Sequence, residues 1–423
     1  MEMMDHDYTD AMVAAVIPYV LIFFSVSGVW LLLRDLHRQR TFPSLPSESS
    51  IRNSKAKTQL SVSIVIPARN EERTIARSVN GALAQQGFDK SGDAPTVELI
   101  VVDDGSEDGT AEILASLVAS SALSRTSNFR VIKGRPLPVG WVGKCNACAH
   151  GASVASGDWL LFLDADAAPN PYFVSALMQH VAAGELDACS VWPFQELGTL
   201  AEQLVIPTFS YLVNCVFPLS TLGKPDMDPA VAMANGQCIL IRRSVYEAVG
   251  GHGSVCGSLL EDVHLARVLR RAGYPYAMVN AREYLHVRMY QNLREVVQGF
   301  AKNARAGSQT NAGRTLTGFI EACLTTVWPP VAIVASVFTA FSGPTIIAVL
   351  AVGFCLVCYL ASLGFWRDHL HRAYRLDGRL AFLTPAGLSL YLFIAAYGLL
   401  RTLSGRGVYW KGRRVGQSRF DLI

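Results

Sequence analysis

The sharpest chemistry in the sequence sits at LLFLDADA (160–167), where an apolar run ends in Asp164 and Asp166 with only Ala165 between them. Two carboxylates this close at the end of a buried strand repel each other, and one pKa rises unless a cation neutralises both. Hard divalent ions such as Mg2+ or Mn2+ accept carboxylate and diphosphate oxygens together, so the pair reads as a metal–diphosphate site. The alternative is a surface turn, where Asp is common. VVDDGSEDGT (101–110) ends a second apolar run in Asp103 and Asp104, carboxylates that need a partner such as a base or a ribose hydroxyl. VIPARNEE brings Pro67, Ala68, Asn70 and Glu71 to the end of a third run, where Asn70 suits either a ligand's polar edge or the cap of the next helix. GWVGKCNA (140–147) sets Lys144 at a glycine-flanked helix start, facing phosphate or simply solvent. SLLEDVHLARVLRRAGY (258–274) places Glu261 and Asp262 at the front of an amphipathic helix. A carboxylate there either complements the helix dipole or takes a proton from an acceptor hydroxyl.

These groups need a frame, and the pattern from 62 onward supplies one. β-rich runs alternate with helical stretches: VSIVIP and a helix from Glu71, VELIVV and a helix from Asp108, FRVIKG and a helix from Gly143, then WLLFLD at 159–164. Such alternation predicts an α/β fold with a mostly parallel sheet, helices on its faces and ligands beyond the carboxyl ends of the strands. The acidic motifs fall at those ends. A further strand (237–242) and helices near 243–249, 260–272 and 291–306 complete this part.

The chain has 423 residues, a formal net charge of +3 and 51% hydrophobic residues. That charge is too small, and its Lys/Arg too scattered, for a nucleic-acid partner; the basic clusters flank apolar segments instead. Residues 11–33 are apolar and long enough to span a bilayer. Acidic residues precede this stretch and Arg34, Arg38 and Arg40 follow it, which predicts a retained anchor with its N-terminus outside. A linker is expected over 34–60, rich in Ser, Pro and Lys from 41, then an α/β domain over 61–312, membrane helices over 317–403 and a basic tail over 404–423. The candidate spans in the third segment are 317–342, 345–366 and 380–401, with the loop 367–379 on the cytoplasmic side. Four crossings would leave Arg401, Arg406, Lys411, Arg413 and Arg414 outside, against the positive-inside tendency. A re-entrant or interfacial course for the last segment, which carries Pro385 and Gly387, keeps the tail inside. Within the domain, 199–223 is apolar but punctuated by Pro207 and Pro218, as interfacial helices or a buried helix pair would be. The nine cysteines, several in apolar surroundings, argue against a disulfide framework, and Cys145-x-x-Cys148 lacks the further ligands of a zinc site.

Taken in order, VSIVIPARNEE, VVDDGSEDGT, FLDADA, NGQCILIRRSVYEAVGG and LEDVHLARVLRRAGY resemble glycosyltransferase family 2, over roughly residues 60–310. The resemblance implies a GT-A-like, Rossmann-type nucleotide-sugar domain with a mixed, mostly parallel sheet and transmembrane helices at both ends. It implies that Pro67, Glu71 and Asp103 or Asp104 hold the uridine part, with Ala68 and Asn70 beside them. Asp164 and Asp166 would then hold Mg2+ or Mn2+ and the donor diphosphate, with Ala165 and Lys144 alongside. Asp262, next to Glu261, would be the base of an inverting displacement. VYWKGRRV (408–415) is similar to the tail of the family's membrane branch, which includes ceramide glucosyltransferases and bacterial carotenoid- and hopanoid-associated enzymes. The partners so implied are a nucleotide-sugar donor such as UDP-glucose, a lipid acceptor reacting through a hydroxyl or carboxyl, and a membrane. The implied setting is a bacterial inner membrane with the catalytic domain cytoplasmic. Processive polysaccharide synthases of the family carry Gln-x-x-Arg-Trp where this chain reads QGFAKNARAG (298–307). Without the Arg-Trp, single transfer is favoured over chain growth, and the intact Asp164, Asp166 and Asp262 speak against a non-catalytic scaffold. Gln298, Lys302 and Arg305 then face either the leaving diphosphate or anionic lipid.

Overall fold

The structure is a computed structural model and describes residues 2–53, 61–86, 97–123, 128–307, 312–342, 345–410 and 413–415. The chain opens with α1 (Glu2–Thr41), α2 (Glu48–Asn53), β1 (Val62–Ala68), α3 (Ile75–Leu83), β2 (Val97–Asp103), α4 (Thr110–Leu123) and β3 (Asn128–Lys133). It continues through α5 (Gly143–Val154), β4 (Trp159–Leu163), β5 (Ala167–Pro169), α6 (Phe173–Ala183), β6 (Ala188–Trp192), β7 (Phe194–Gln195), α7 (Leu200–Val216) and α8 (Leu219–Leu222). β8 (Cys238–Arg242), α9 (Arg243–Ala248), α10 (Glu261–Arg271), β9 (Tyr276–Asn280), β10 (Leu285–Val287) and α11 (Leu293–Gly307) follow. The last helices are α12 (Ala312–Thr326), α13 (Trp328–Ser342), α14 (Ile346–Tyr374) and α15 (Thr384–Leu403). They divide into an α/β unit (Phe42–Leu197, Leu219–Ala306 and Tyr397–Ile423) and a helical unit (Met1–Thr41, Gly198–Pro218 and Gly307–Ala396).

In the α/β unit a seven-stranded sheet runs β3-β2-β1-β4-β8-β6-β9, and only β8 is antiparallel to its neighbours. This is the GT-A-like mixed, mostly parallel sheet that the motifs imply. β1, β2 and β4 are mostly apolar because helices cover both sheet faces, with Val62, Ile64, Val65, Ile66, Leu99 and Leu161 fully buried or nearly so, and the buried Ser63 of β1 donates to the buried Glu98 of β2 at 2.6 Å. The strand order turns between β1 and β4, which opens a crevice at their carboxyl ends. α5 sits tightly on that sheet. A Cβ on Gly151 would lie 2.3 Å from Val65 Cγ1, and Ala147, Cys148 and Ala152 bury the rest of a small-residue face. The close seat carries the start of α5, with Lys144, to the crevice. A second sheet, β5-β10-β7, begins one residue after Asp166 and braces the turn that holds both aspartates.

Two boundaries differ from the sequence reading. The stretch expected to be a linker, 34–60, is helical as far as Thr41, and Phe42, Leu45 and Ile51 are then buried, with Leu45 N donating to Asn280 O at 3.1 Å; residues 54–60 lie outside the described ones. Residues 198–218 pack with the helical unit, so the domain expected over 61–312 is not one continuous stretch. Pro207 does not break its segment either: α7 runs unbroken from a Thr199–Glu202 capping box to Val216, and only Pro218 interrupts it. Thr208 Oγ1 lies 3.0 Å from both Leu204 O and Val205 O and shares its single donor between them, in the turn that Pro207 deprives of one.

In the helical unit, α1, α14 and the segment Gly378–Leu403 are long and apolar enough to cross a membrane, and α12 with α13 forms a pair bent by 55°. The span expected as 317–342 is therefore this bent pair. Ser25 Oγ lies 3.7 Å from Cys355 Sγ and Gln39 Oε1 3.2 Å from His369 Nδ1, so α1 and α14 run parallel. Glu321 pairs with Arg34 and Arg38, whereas Trp328 Nε1 reaches Ser25 Oγ at 3.2 Å, so the bent pair runs antiparallel to α1. Asp35 is completely buried and accepts from Tyr211 Oη at 2.7 Å and Arg38 Nη1 at 3.1 Å. Asp35, Cys215 and Glu321 form the one trio of potential metal ligands among the described residues, and these arginines already neutralise it. α15 packs on α7 instead of along α1: Gly387 lies against the Leu204 carbonyl, and the Phe209 and Tyr391 rings are 5.1 Å apart.

Candidate active site

Four segments that are distant in sequence converge where β1 and β4 end. Lys144, at the start of α5, places its ammonium 2.7 Å from Asp164 Oδ1, 3.0 Å from Glu261 Oε1 and 3.1 Å from Gly236 O. An ammonium has three donors, and all three are used. The Gly236 N–H donates to Asp262 Oδ2 at 2.7 Å, so one peptide segment holds the lysine through its carbonyl and the aspartate through its amide. A Cβ on Gly236 would stand 3.0 Å from both Asp262 Oδ2 and Lys144 Nζ, which is why this loop needs glycine there. Pro67, Lys144, Asp164, Gly236, His252 and Glu261 share the walls of a cavity of about 10 Å³, room for roughly one water.

The electrostatics follow from burial and pairing. Burial works against the Lys144 charge, but the carboxylates of Asp164 and Glu261 outweigh it and raise the lysine well above its ordinary range. Glu261 is 7% exposed, and burial alone would raise its pKa; the lysine reverses the sign and holds it below the usual carboxylate range. Asp262 goes the other way. Burial and then repulsion from Glu261 push it up to about 7, although Val263 N and Gly236 N both donate to it. Two adjacent carboxylates thus have separated affinities for protons, the pattern by which one of them can serve as a base near neutral pH. His252 is buried beside Tyr246, whose hydroxyl lies 2.9 Å from its Nδ1, and burial lowers it to about 4.

The remaining candidates lie along the same sheet edge. Asp164 and Asp166 are both partly exposed around the buried Ala165, and Asp164 lines the cavity beside Lys144. Pro67 and Ala68 end β1; the Ala68 carbonyl accepts from Asp104 N at 2.9 Å, and Asp103 Oδ1 accepts from Ser106 N at 2.9 Å. Asn70 is not a helix cap. At φ 53° it donates its N–H to Ser106 Oγ and accepts from Glu107 N at 2.8 Å, tying the loop after β1 to the loop after β2. Glu71 N donates to Thr110 Oγ1 at 2.8 Å in the same clamp. Glu261 and Asp262 open α10, where Asp262 also accepts a first-turn N–H, so both charges lie at the positive end of the helix dipole. Lys302 is close enough to Glu261 for its charge to help keep that carboxylate ionised, and Gln298 is one turn earlier on α11. The side chain of Arg305 lies outside the described residues, as do the side chains of the tail from 408. Cys145 and Cys148 are packing residues of α5, and burial pushes both thiols far up.

Three participants had no role in the sequence reading. Arg69 donates to Asp104 O at 2.6 Å and Gly105 O at 3.0 Å and so closes the β1–β2 clamp. Gly236 links Lys144 to Asp262 as described. Gln237 accepts at Oε1 from Gln195 Nε2 at 2.8 Å and from Asn235 Nδ2 at 3.2 Å, while its carbonyl holds Asp164 N. The one available signal was NGQ before an apolar strand, a glycine turn with two flanking amides.

Residues 63–250 match the family model "Glycosyl transferase family 2". The chain is 27% identical over 259 residues to the 4,4'-diaponeurosporenoate glycosyltransferase of Staphylococcus haemolyticus (strain JCSC1435), covering 60% of this chain and 64% of that one. It therefore spans just under two thirds of that relative's length. The protein of the same name from Staphylococcus aureus (strain USA300) is 25% identical over 277 residues, covering 63% of this chain and 68% of its own. Among solved structures, the mannosyltransferase PcManGT from Pyrobaculum calidifontis, in complex with GDP-Man and Mn2+, is similar with a TM-score of 0.47 and 17% identity, over 91% of this chain and 99% of that one. The ordered motifs, the sheet that carries them and the model match agree on one stretch: residues 63–250 of this chain form a glycosyltransferase family 2 domain.

Proposed function

We propose that the chain transfers a hexose from a nucleoside-diphosphate sugar to a membrane lipid in one inverting displacement. The observation that carries this reading is the convergence of Asp164, Lys144, Glu261 and Asp262 at the turn of the strand order, the place where α/β sheets bind nucleotides. The clamp of Pro67, Ala68, Asn70, Glu71, Asp103 and Asp104 would take the nucleoside. Asp164 and Asp166 offer hard oxygens at a strand end, and the Lys144 ammonium already stands 2.7 Å from one of them, so this donor set suits a cation. Those two aspartates would hold Mg2+ or Mn2+, which when bound supplies positive charge against the leaving diphosphate.

Asp262 has the affinity a base needs. With its pKa near 7 it accepts a proton from an acceptor hydroxyl, while the N–H groups of Gly236 and Val263 hold its orientation. The oxygen so freed attacks the anomeric carbon and the diphosphate departs on the opposite side, with Lys144 and Lys302 supplying nearby positive charge. The relatives named for 4,4'-diaponeurosporenoate support an apolar acceptor. The parallel course of α1 and α14 and the opposed bent pair support three crossings, with α7 and α15 lying in the inner leaflet and the basic tail inside. The setting that fits is a bacterial inner membrane with the α/β unit in the cytoplasm.

Release of UDP from UDP-glucose, measured with and without Mn2+, tests the mechanism on the Asp166→Ala and Asp262→Asn variants. Asp166→Ala should lose the Mn2+ stimulation, and Asp262→Asn should lose turnover while still binding UDP. Full activity in both would remove the mechanism.

A further inference from the structure

Lys144 is held by groups that a donor complex would need for other work. Its three partners are Asp164 Oδ1, Glu261 Oε1 and Gly236 O, at 2.7, 3.0 and 3.1 Å. Asp164 is one of the two aspartates assigned above to a divalent ion. An ammonium and a divalent ion cannot share that carboxylate cheaply, because two positive charges would then lie within a few ångströms of each other in a partly dry site. The lysine has a way out: its side chain is 32% exposed and its four-carbon stem is flexible. Leaving Asp164 does not strand it, since Glu261 and the Gly236 carbonyl remain.

We propose that Lys144 is a resident cation that fills the place of the metal's charge at Asp164 before the donor arrives and yields it on loading, when its ammonium turns to the donor's diphosphate. The inference deepens the reading under "Proposed function" and rests on it. The lysine neutralises the partly exposed Asp164 and the buried Glu261, which keeps the latter from being left unpaired. In the loaded site the same charge serves the leaving group. Metal and lysine therefore compete at Asp164 but cooperate on the nucleotide, and removing the lysine should move the two affinities in opposite directions. A lysine that merely holds the fold would move neither in this pattern.

The test uses the full chain in lipid nanodiscs, with Mn2+ alone and then UDP as probes. Free Mn2+ is read by electron paramagnetic resonance and UDP binding by calorimetry at saturating Mn2+. Lys144→Met should bind Mn2+ alone about tenfold more tightly than the wild type and bind UDP about tenfold more weakly. Lys144→Gln retains an amide donor for Gly236 O and a carboxylate, should shift both affinities in the same directions, and decides the matter if Lys144→Met does not fold. Unchanged or weaker Mn2+ binding in the folded variants overturns the exchange while leaving the metal site standing. If the wild type and both variants all fail to bind Mn2+, the metal assignment fails, and the exchange with it.

Discussion

Replacing Glu261 with glutamine should move the acid limb of donor turnover to lower pH. Asp262 is pushed up to about 7 by its burial and by the Glu261 charge beside it. A base works only unprotonated, so wild-type kcat/KM should rise about tenfold per pH unit below that midpoint and level off above it. Glutamine removes the neighbouring negative charge and also leaves Lys144 with one carboxylate fewer to neutralise. Both changes favour the ionised form of Asp262, so the sign is fixed: the midpoint falls. A close carboxylate changes a partner's pKa by roughly 1 unit or more, about 1.4 kcal/mol, so the limb should shift down by about one pH unit. The assay is UDP release from UDP-glucose with Mn2+ between about pH 5 and 9, reported as kcat/KM because that ratio follows the free enzyme. A limb that stays in place or moves up would refute the coupling. A limb of unchanged height and position in Asp262→Asn would show that the titrating base is another group.

Other expected outcomes test the frame around the site. Gly151→Ala forces a Cβ into Val65 and should cost about 1 to 3 kcal/mol of α/β-unit stability, read as a lower denaturation midpoint; an unchanged midpoint would mean that α5 is not seated as closely as 2.3 Å implies. Tyr211→Phe removes the hydroxyl that donates to the buried Asp35 and should destabilise the helical unit by about 1.5 to 3 kcal/mol, measured by thermal inactivation in detergent. Topology reporters at the C-terminus and in the loop after Tyr374 should report one compartment and a reporter at the N-terminus the other; a tail on the N-terminal side would exclude an in-plane α15.

What the sequence made legible was whatever a short run of residues decides by itself. An apolar strand that stops at Asp-Ala-Asp marks the carboxyl edge of the sheet, where the structure has both residues, and three strand–helix units followed by a fourth strand point to a mostly parallel sheet. The pairing of Lys144 was not legible in that way. Its partners at 164, 236 and 261 come from three other segments, and only the seat of α5 on Val65 and Val102 brings the lysine to them. Asn70 was ambiguous for the same reason: the alternative of a helix cap is a local pattern, whereas its actual partners, Ser106 and Glu107, belong to the next strand's loop.

The membrane helices divide along the same line. Length and hydropathy alone rank Gly378–Leu403 beside α1 and α14 as a span. Its neighbours argue otherwise. α7 is too short to cross a bilayer, and its Tyr211 meets Asp35, Trp366 and His369, residues at the basic end of the parallel α1–α14 pair. α15 packs on α7 through Gly387 and Tyr391, which supports the in-plane course proposed above. Charge supports the same course independently, since three crossings keep Arg401 and Arg406 with the arginines at the end of α1. Hydropathy reports what a helix can tolerate; the partners of its small and aromatic residues decide where it lies.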